Sequence, residues 1–157
     1  MNNQVYNKYG KVLTEEEQYK PRKMDFVDNN GIPLWDKYII YGDKDGFDLR
    51  HYDVLIRNMI LPIGTKICRY GNSGGSFTAN VGTEYELLSL PYEIGTMQYH
   101  EYVVIGELKV DCIVDRGIAA PGFEYPGGGI QFKHHQSIKS CLKTKCLTED
   151  IEWLRKL

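Results

Sequence analysis

The chain has 157 residues, of which 42% are hydrophobic and 25% are charged, and this composition is typical of one globular domain. Its formal net charge of -2 lacks the strong positive field with which nucleic-acid-binding proteins displace counterions from phosphates, so nucleic acid is not expected as a partner. No run of about 18 or more apolar residues occurs, and residues 1–11 are polar. We therefore expect neither membrane insertion nor a secretion signal in this form.

The balance of 16 glycines and 12 tyrosines against 6 prolines favours tight turns and half-buried strands. The predicted fold class is α+β: a single domain with a twisted, mainly antiparallel sheet, an N-terminal helical arm and a C-terminal helix. Residues 1–45 are interpreted as the arm or linker, because they are rich in Asn, Asp, Lys and Tyr with scattered turn signals. Residues 46–157 are expected to form the domain itself, which would hold any catalytic core.

Short elements are predicted in the first sixty residues. Thr14 followed by Glu17 is a capping-box pattern, which predicts a helix that begins at Glu15 and ends before Pro21. The other expected elements are a strand at residues 38–41 and a helix over residues 49–59, with Asp48 as its N-cap.

From residue 61 onward, apolar runs broken by glycine and proline predict a series of strands. Their expected ranges are 65–70, 83–87, 101–105, 108–114 and 130–133. A last helix, capped by Thr148, is predicted to place Leu147, Ile151 and Leu154 on one face.

The four cysteines do not have the paired CxxC spacing of a structural zinc site, so no metal is expected. Cys68 and Cys112 lie in apolar stretches, where a free thiol packs as a small hydrophobic group. Cys141 and Cys146 lie five residues apart, and their spacing is compatible with a disulfide in an oxidising compartment or with a reduced pair.

A glycine-rich turn follows the strand that ends in Arg69 and Tyr70, and Phe77 stands on its far side. Glycines let backbone N–H groups approach an anion, a guanidinium can hold phosphate oxygens, and an aromatic ring can stack on a heterocycle. This pattern suits a phosphate-bearing ligand. The alternative interpretation is a hairpin tip flanked by a surface arginine.

Three consecutive glycines, including Gly128 and Gly129, precede Gln131. Such a triplet loses more backbone entropy on folding than any other, so it indicates a place where the chain passes close to something else. The Gln131 amide can both donate and accept hydrogen bonds without carrying charge. A mobile loop that leads into an edge strand is the alternative.

No lipase elbow, zinc-protease helix, Walker loop or dinucleotide-binding fingerprint is present. His100 is the only central histidine, and a lone histidine in a tyrosine-rich strand is more often structural than functional. Glu84 is a possible carboxylate partner, but its spacing to other carboxylates does not pair it as a general acid or base.

Eight short motifs follow one another between residues 61 and 132: LPIGT at 61–65, RYG at 69–71, GSF at 75–77, GTEY at 82–85, SLP at 89–91, YHEY at 99–102, APGF at 120–123 and PGGGIQF at 126–132. In these motifs and their order the chain resembles the tuberculosis necrotizing toxin family. Members are NAD(P) glycohydrolases, which split NAD(P) into nicotinamide and ADP-ribose. The resemblance therefore implies a hydrolase that uses NAD or NADP as substrate, without a cofactor or metal.

The resemblance also implies roles for individual residues. Gln131 would be the catalytic residue at the ribosyl bond, Arg69 would hold the diphosphate and Phe77 would stack near the nicotinamide. The other substrate-binding residues it implies are Tyr70, Glu84, His100, Gly128 and Gly129. The family further implies a bacterial toxin domain that a specialised secretion system delivers, that acts in the target-cell cytoplasm, and that a cognate immunity protein restrains.

The sequence departs from the family pattern at three positions. Leu88 stands where the family has an arginine, for which Arg116 or a lysine near Lys133 could substitute, and Gly122 stands where it has a tryptophan. Glu84 replaces a proline. An added carboxylate favours ADP-ribosyl cyclisation or transfer as an alternative outcome, and the lost arginine and tryptophan favour a weakened member that only binds a nucleotide or a protein.

Overall fold

The computed structural model describes residues 4–106 and 111–149. None of the helices in this described part is both long and apolar enough to cross a membrane. The strands are β1 (Val5–Tyr6), β2 (Val12–Leu13), β3 (Ile56–Ile60), β4 (Lys66–Tyr70), β5 (Phe77–Asn80), β6 (Tyr99–Val104), β7 (Ile113–Ile118), β8 (Ile130–His134) and β9 (Leu147–Thr148). The α-helices are α1 (Trp35–Tyr38) and α2 (Ile138–Lys143), and 3₁₀ helices span Glu15–Glu17, Met24–Phe26, Leu49–Val54, Tyr85–Leu88 and Ile94–Thr96.

Seven strands form one sheet in the order β3-β7-β8-β5-β4-β6-β9, and each neighbouring pair is antiparallel. Strands β1 and β2 form a separate two-stranded sheet. Strand β8 lies inside the sheet between β5 and β7, and Gln131 on β8 lies opposite Ala79 of β5 and Gly117 of β7. The predicted α+β domain with an antiparallel sheet is confirmed.

One face of the sheet carries the main core, against which α2 packs. Ser137 caps α2 by accepting a hydrogen bond from Ser140 N, and Ile138 is fully buried among side chains of the sheet. The core members from the sheet and α2 are Ile67, Tyr102, Val104, Val114, Phe132, Ile138, Cys141 and Leu147. The opposite face carries a second cluster around Tyr70, Tyr85 and Met97. The polar cleft described below opens on this second face.

The N-terminal segment, residues 4–45, packs on the rest of the domain. The Arg22 guanidinium donates hydrogen bonds to the carbonyl oxygens of Leu90 and Phe123, at 2.8 and 2.7 Å. Phe26 is 1% exposed and meets the rings of Tyr38 and Phe123 edge-on, with centroids 5.0 and 5.2 Å apart. Residues 4–45 therefore contact the rest of the domain through buried rings and through hydrogen bonds to its main chain.

Three predicted elements of the first half are corrected. The helix predicted from Glu15 is a single 3₁₀ turn over Glu15–Glu17, in which Thr14 N does donate to Glu17 Oε1. The strand predicted at 38–41 is wrong, since α1 covers its start and Tyr41 has a φ of 61°. Asp48 caps the next helix as predicted, but that helix ends at Val54 and β3 follows, paired to β7.

In the second half, strands predicted at 65–70, 101–105 and 130–133 are confirmed as β4, β6 and β8. The strand predicted at 83–87 is wrong, because the chain there turns into the 3₁₀ helix Tyr85–Leu88. Strand β7 begins at Ile113, and residues 107–110 lie outside the described part. Thr148 belongs to β9, and the helix predicted beyond it lies outside the described residues. Strand β5 and helix α2 were not predicted.

All four cysteines are free thiols with 2% or less of their surface exposed. Cys112, the residue before β7, has its Sγ 3.0 Å from Cys146 Sγ, so Cys146 contacts a thiol that is distant in sequence. Hydrogen bonding among these thiols, together with burial, raises the pKa of Cys112. The reduced state of Cys141 and Cys146 is the one in this structure.

His134 makes the stability of the fold depend on pH. It is 2% exposed, its Nε2 pairs with Thr78 Oγ1 at 2.8 Å, and its Nδ1 has no partner in the described part of the chain. Burial lowers the pKa of His134 from 6.5 to about 4. The unfolded chain therefore binds a proton more readily than the folded one between these values, and stability falls as the pH drops from 6.5 to 4.

We expect this single group to remove about 3 kcal/mol of unfolding free energy over that window. Urea unfolding at several pH values, compared between the wild type and His134→Gln, measures it. The variant should lose less stability on acidification. An identical pH dependence of the two proteins would contradict the assignment.

Candidate active site

A cleft of about 950 Å³ opens between the second face of the sheet and the N-terminal segment. Its volume lies in the range of sites that enclose cofactor-sized ligands. Strand β4 and the following turn supply Arg69 and Tyr70, β5 supplies Phe77, and β8 supplies Gln131 and Lys133. The N-terminal segment and the turn that follows it supply the facing wall, which includes Trp35, Asp36 and residues 42–46.

The Arg69 side chain donates hydrogen bonds to main-chain oxygens at both ends of the glycine-rich turn. Its Nε donates to Asn72 O at 2.6 Å and its Nη1 to Phe77 O at 2.9 Å. No carboxylate of the described residues forms an ion pair with it. Burial lowers the pKa of Arg69, yet a guanidinium stays charged in proteins. A desolvated cation without a counter-charge is costly by itself, so it favours an anion in the cleft.

The glycine at position 75 is required by the position of that guanidinium. A Cβ added to Gly75 would collide with Arg69 Nη2. Gly71 also lies beside the guanidinium and has a φ of 124°, which favours glycine. The glycine-rich turn is therefore shaped around the charged group, which supports a functional interpretation over that of an ordinary hairpin tip.

Tyr70 and Phe77 form the aromatic part of the cleft. The Tyr70 ring lies between those of Tyr85 and Tyr99, with centroids 4.8 and 4.9 Å away. Its buried hydroxyl has no hydrogen-bond partner among the described residues, and burial raises its pKa. A smaller recess of about 60 Å³ adjoins the cleft, and Phe77, Leu88 and Gln131 are among its walls. Tyr70 and Phe77 line both cavities.

Gln131 lies on β8, and its amide is fixed from the opposite wall of the cleft. Nε2 donates to the main-chain oxygen of Asp45 at 3.1 Å. Lys133, two residues further along the same face of β8, forms an ion pair with Asp45 Oδ1 at 2.6 Å. With Nε2 engaged, Oε1 is the amide atom left to accept a hydrogen bond from a ligand.

The structure brings Arg69, Tyr70, Phe77 and Gln131 to one cleft, whereas the other predicted residues are not among those that line it. Both ring nitrogens of His100 are engaged, by Gln98 Oε1 at 2.8 Å and by Glu149 Oε1 at 3.0 Å. Glu84 is exposed at the start of the Tyr85–Leu88 helix.

The glycines before β8 serve close backbone approaches. Gly128 N donates to Ala119 O at 2.8 Å, and Gly129 N donates to Leu87 O at 3.1 Å. A Cβ at Gly129 would lie 3.1 Å from atoms of Leu87. Gly128 and Gly129 therefore position β8 beside its neighbours.

The structure accounts for two departures from the family pattern. Leu88 lines the cleft, and of the proposed substitutes for the missing arginine Lys133 lines it while Arg116 does not. At Gly122, a Cβ would collide with Ile39, which belongs to the N-terminal segment and itself lines the cleft. A side chain of the N-terminal segment thus occupies space that a larger residue at position 122 would need.

Sequence reasoning missed the wall supplied by the N-terminal segment. Trp35, Asp36, Lys44 and Asp45 all line the cleft. The pattern of residues 43–46 indicated a turn, which the structure contains, because Asp43 Oδ1 accepts hydrogen bonds from the backbone of Asp45 and Phe47. Nothing in its spacing linked that turn to Gln131, some 86 residues away in sequence.

Comparisons with known proteins agree with this fold. The chain is 35% identical over 107 residues to the conidial surface nicotinamide adenine dinucleotide glycohydrolase of Aspergillus fumigatus, a match that covers 63% of this chain and 44% of that protein. The chain thus spans less than half the length of the curated relative it matches. Its fold is similar to that of tuberculosis necrotizing toxin, solved in complex with its immunity factor, with a TM-score of 0.56, 18% identity and coverage of 92% of this chain and 75% of that one.

The sequence model of one family matches residues 60–149, which is more than half of the chain and includes β4, β5 and β8 with their cleft residues. The chain therefore belongs to the tuberculosis necrotizing toxin family.

Proposed function

We propose that this domain is an NAD(P) glycohydrolase. In the proposed reaction water adds to C1 of the nicotinamide ribose while the C–N bond breaks, so that NAD and water give nicotinamide, ADP-ribose and a proton. The observation that carries the proposal is that one cleft holds both the Arg69 guanidinium, which forms no ion pair with a carboxylate of the described residues, and the neutral Gln131 amide, which Asp45 holds in place. Family membership and the glycohydrolase named among the relatives support the choice of substrate.

Arg69 and the turn it supports would bind the diphosphate. The guanidinium uses Nε and one Nη1 hydrogen for the turn carbonyls, which leaves the Nη2 hydrogens for a ligand. Phe77 is half-buried beside Gln131 and offers a ring face to the nicotinamide. This arrangement would direct the scissile bond towards the amide.

Gln131 would act on the ribose and the attacking water. The leaving nicotinamide departs as a neutral molecule from a cationic ring, so little acid catalysis is required, and a charged general acid is unnecessary. The free Oε1 can accept a hydrogen bond from a ribose hydroxyl or from water and so favour the oxocarbenium-like state. The proposal requires no cofactor and no metal.

Cyclisation or transfer of the ADP-ribosyl group is the second candidate outcome. The specific observation in its favour is that carboxylates of the N-terminal wall, such as Asp36, line the cleft in which an oxocarbenium ion would form. A carboxylate there lengthens the life of the cation and allows another nucleophile to capture it.

The wider setting of the activity is also a proposal. We infer that the domain is the toxic part of a protein that a specialised secretion system delivers, that it depletes NAD(P) in the cytoplasm of the target cell, and that an immunity protein binds it. The solved relative in complex with its immunity factor supports such a partner.

Product analysis tests the proposal. Purified protein is incubated with NAD or NADP, and nicotinamide, ADP-ribose and cyclic ADP-ribose are separated by chromatography. We expect nicotinamide and free ADP-ribose in a ratio of one to one. Detection of cyclic ADP-ribose, or of ADP-ribose attached to protein, would favour cyclisation or transfer over hydrolysis. Binding without release of nicotinamide would contradict catalysis altogether.

Substitution of Arg69 by alanine tests its assigned role. A diphosphate contact is made equally in the ground state and the transition state, so its loss raises KM more than it lowers kcat. We expect KM for NAD to rise about 10- to 100-fold, as for loss of hydrogen bonds to a charged group. Arg116→Ala, outside the cleft, is the matched control in steady-state kinetics. A change in kcat alone would contradict this role.

A further inference from the structure

We infer that Asp45 and Lys133 are positioning residues that set the orientation of the Gln131 amide. The inference rests on the proposed function, because it assigns these two residues to the same reaction. Asp45 contacts β8 twice: its main-chain oxygen accepts from Gln131 Nε2, and its carboxylate binds Lys133 Nζ. The two contacts come from neighbouring inward positions of one strand.

The turn that carries Asp45 is built to hold its main-chain oxygen still. Asp43 N donates to Phe47 O at 2.9 Å, and Asp43 Oδ1 accepts from Asp45 N at 2.8 Å. Phe47 is 1% exposed and packs against Gly117, where a Cβ would lie 2.6 Å from its ring. Gly117 is the β7 partner of Gln131. The turn therefore sits directly over the strand pair that carries the amide.

The ion pair between Asp45 and Lys133 is the second contact that holds the turn against β8. The Asp45 side chain is 10% exposed and that of Lys133 is 33% exposed, so the pair is only partly screened by water. Removal of the ammonium leaves a largely buried carboxylate without its counter-charge, which favours movement of the turn towards solvent. Gln131 Nε2 then loses its fixed acceptor, and the amide is free to rotate.

Fixing Nε2 determines which end of the amide meets the substrate. When Nε2 donates to Asp45, Oε1 points away from that carbonyl and serves as an acceptor. A rotated amide would present donors to the ribose hydroxyl or the water that must itself donate. The positioning pair thereby selects the productive state of Gln131.

The test is a comparison of Lys133→Met with Lys133→Arg, alone and in a Gln131→Ala background. We expect Lys133→Met to lower kcat about 10-fold or more, in line with misplacement of a catalytic group, while KM changes little. Lys133→Arg keeps the positive charge and should restore most of the rate. In the Gln131→Ala background Lys133→Met should have no further effect on kcat. Lys143→Met, an exposed lysine of α2, is the matched control.

A second measurement uses the protein alone and does not depend on NAD cleavage. The side-chain amide resonances of Gln131 in a ¹⁵N-labelled sample should be well dispersed in the wild type and in Lys133→Arg, and should move to solvent-exposed positions in Lys133→Met. Unchanged resonances, or an equal loss of kcat in both backgrounds, would overturn the positioning role. A wild type that releases no nicotinamide would instead overturn the proposed function, and the resonances alone would then decide the inference.

Discussion

Replacement of Gln131 by alanine is expected to lower kcat for NAD cleavage about 100-fold or more, as does removal of a preorganised transition-state contact in other enzymes. In the proposed mechanism the Gln131 amide oxygen accepts a hydrogen bond at the ribose, and the bond from Gln131 Nε2 to Asp45 O holds the amide in that orientation before substrate arrives. The loss should fall on kcat more than on KM, because the contact strengthens as positive charge develops on the ribose.

Steady-state kinetics and urea unfolding of the same preparations measure this effect. Gln18→Ala is the matched control, since Gln18 lies outside the cleft and its amide donates a hydrogen bond to Thr14 O at 3.3 Å. The Gln131 variant should retain the unfolding midpoint of the wild type to within a small shift. Turnover close to that of the wild type would remove Gln131 from the mechanism.

Replacement of Phe26 by alanine is expected to cost about 3–5 kcal/mol of unfolding free energy, the range for a buried phenylalanine truncated in a core. Phe26 is a large, fully buried side chain of the N-terminal segment. Its ring contacts Tyr38 and Phe123 edge-on, and the ring centroid lies 5.2 Å from the Arg22 guanidinium. Its loss should loosen the wall of the cleft as well as the fold, so NAD binding should weaken together with stability.

Met24→Ala is the matched control, because Met24 belongs to the same 3₁₀ turn but is 77% exposed. Urea denaturation gives the two free energies under the same conditions. A Phe26 variant as stable as the Met24 variant would mean that the N-terminal segment is not an integral part of the domain.

Part of the sheet was readable from the sequence, because β4, β6 and β8 lie in apolar runs bounded by turn residues, whereas β3 was predicted as a helix and β5 was not predicted. In β4, Ile67 packs in the main core, while Tyr70 on the other face belongs to the second cluster. The turn between Arg69 and Phe77 was predicted from its glycines, and three of the predicted binding residues and Gln131 do meet in one cleft.

The irregular parts were not readable for a physical reason. Residues 83–87 have the composition of a strand. However, Gly129 N donates a hydrogen bond to Leu87 O, and Ser89 adopts a φ of 55°. Tertiary contacts therefore override the local preference for a strand. The N-terminal wall depends on contacts such as Ile40 N to Pro121 O, which join residues distant in sequence. The spacing of residues along the chain does not indicate which distant residues form such hydrogen bonds.

A crystal structure of the Gln131→Ala variant with uncleaved NAD would test the central claim most directly. The account predicts the diphosphate within hydrogen-bond distance, about 3 Å, of Arg69 Nη2, with the nicotinamide ribose beside position 131 and the turn at residues 43–47 over it. A nucleotide bound on another surface of the domain, or in the cleft with its diphosphate away from Arg69, would contradict the account.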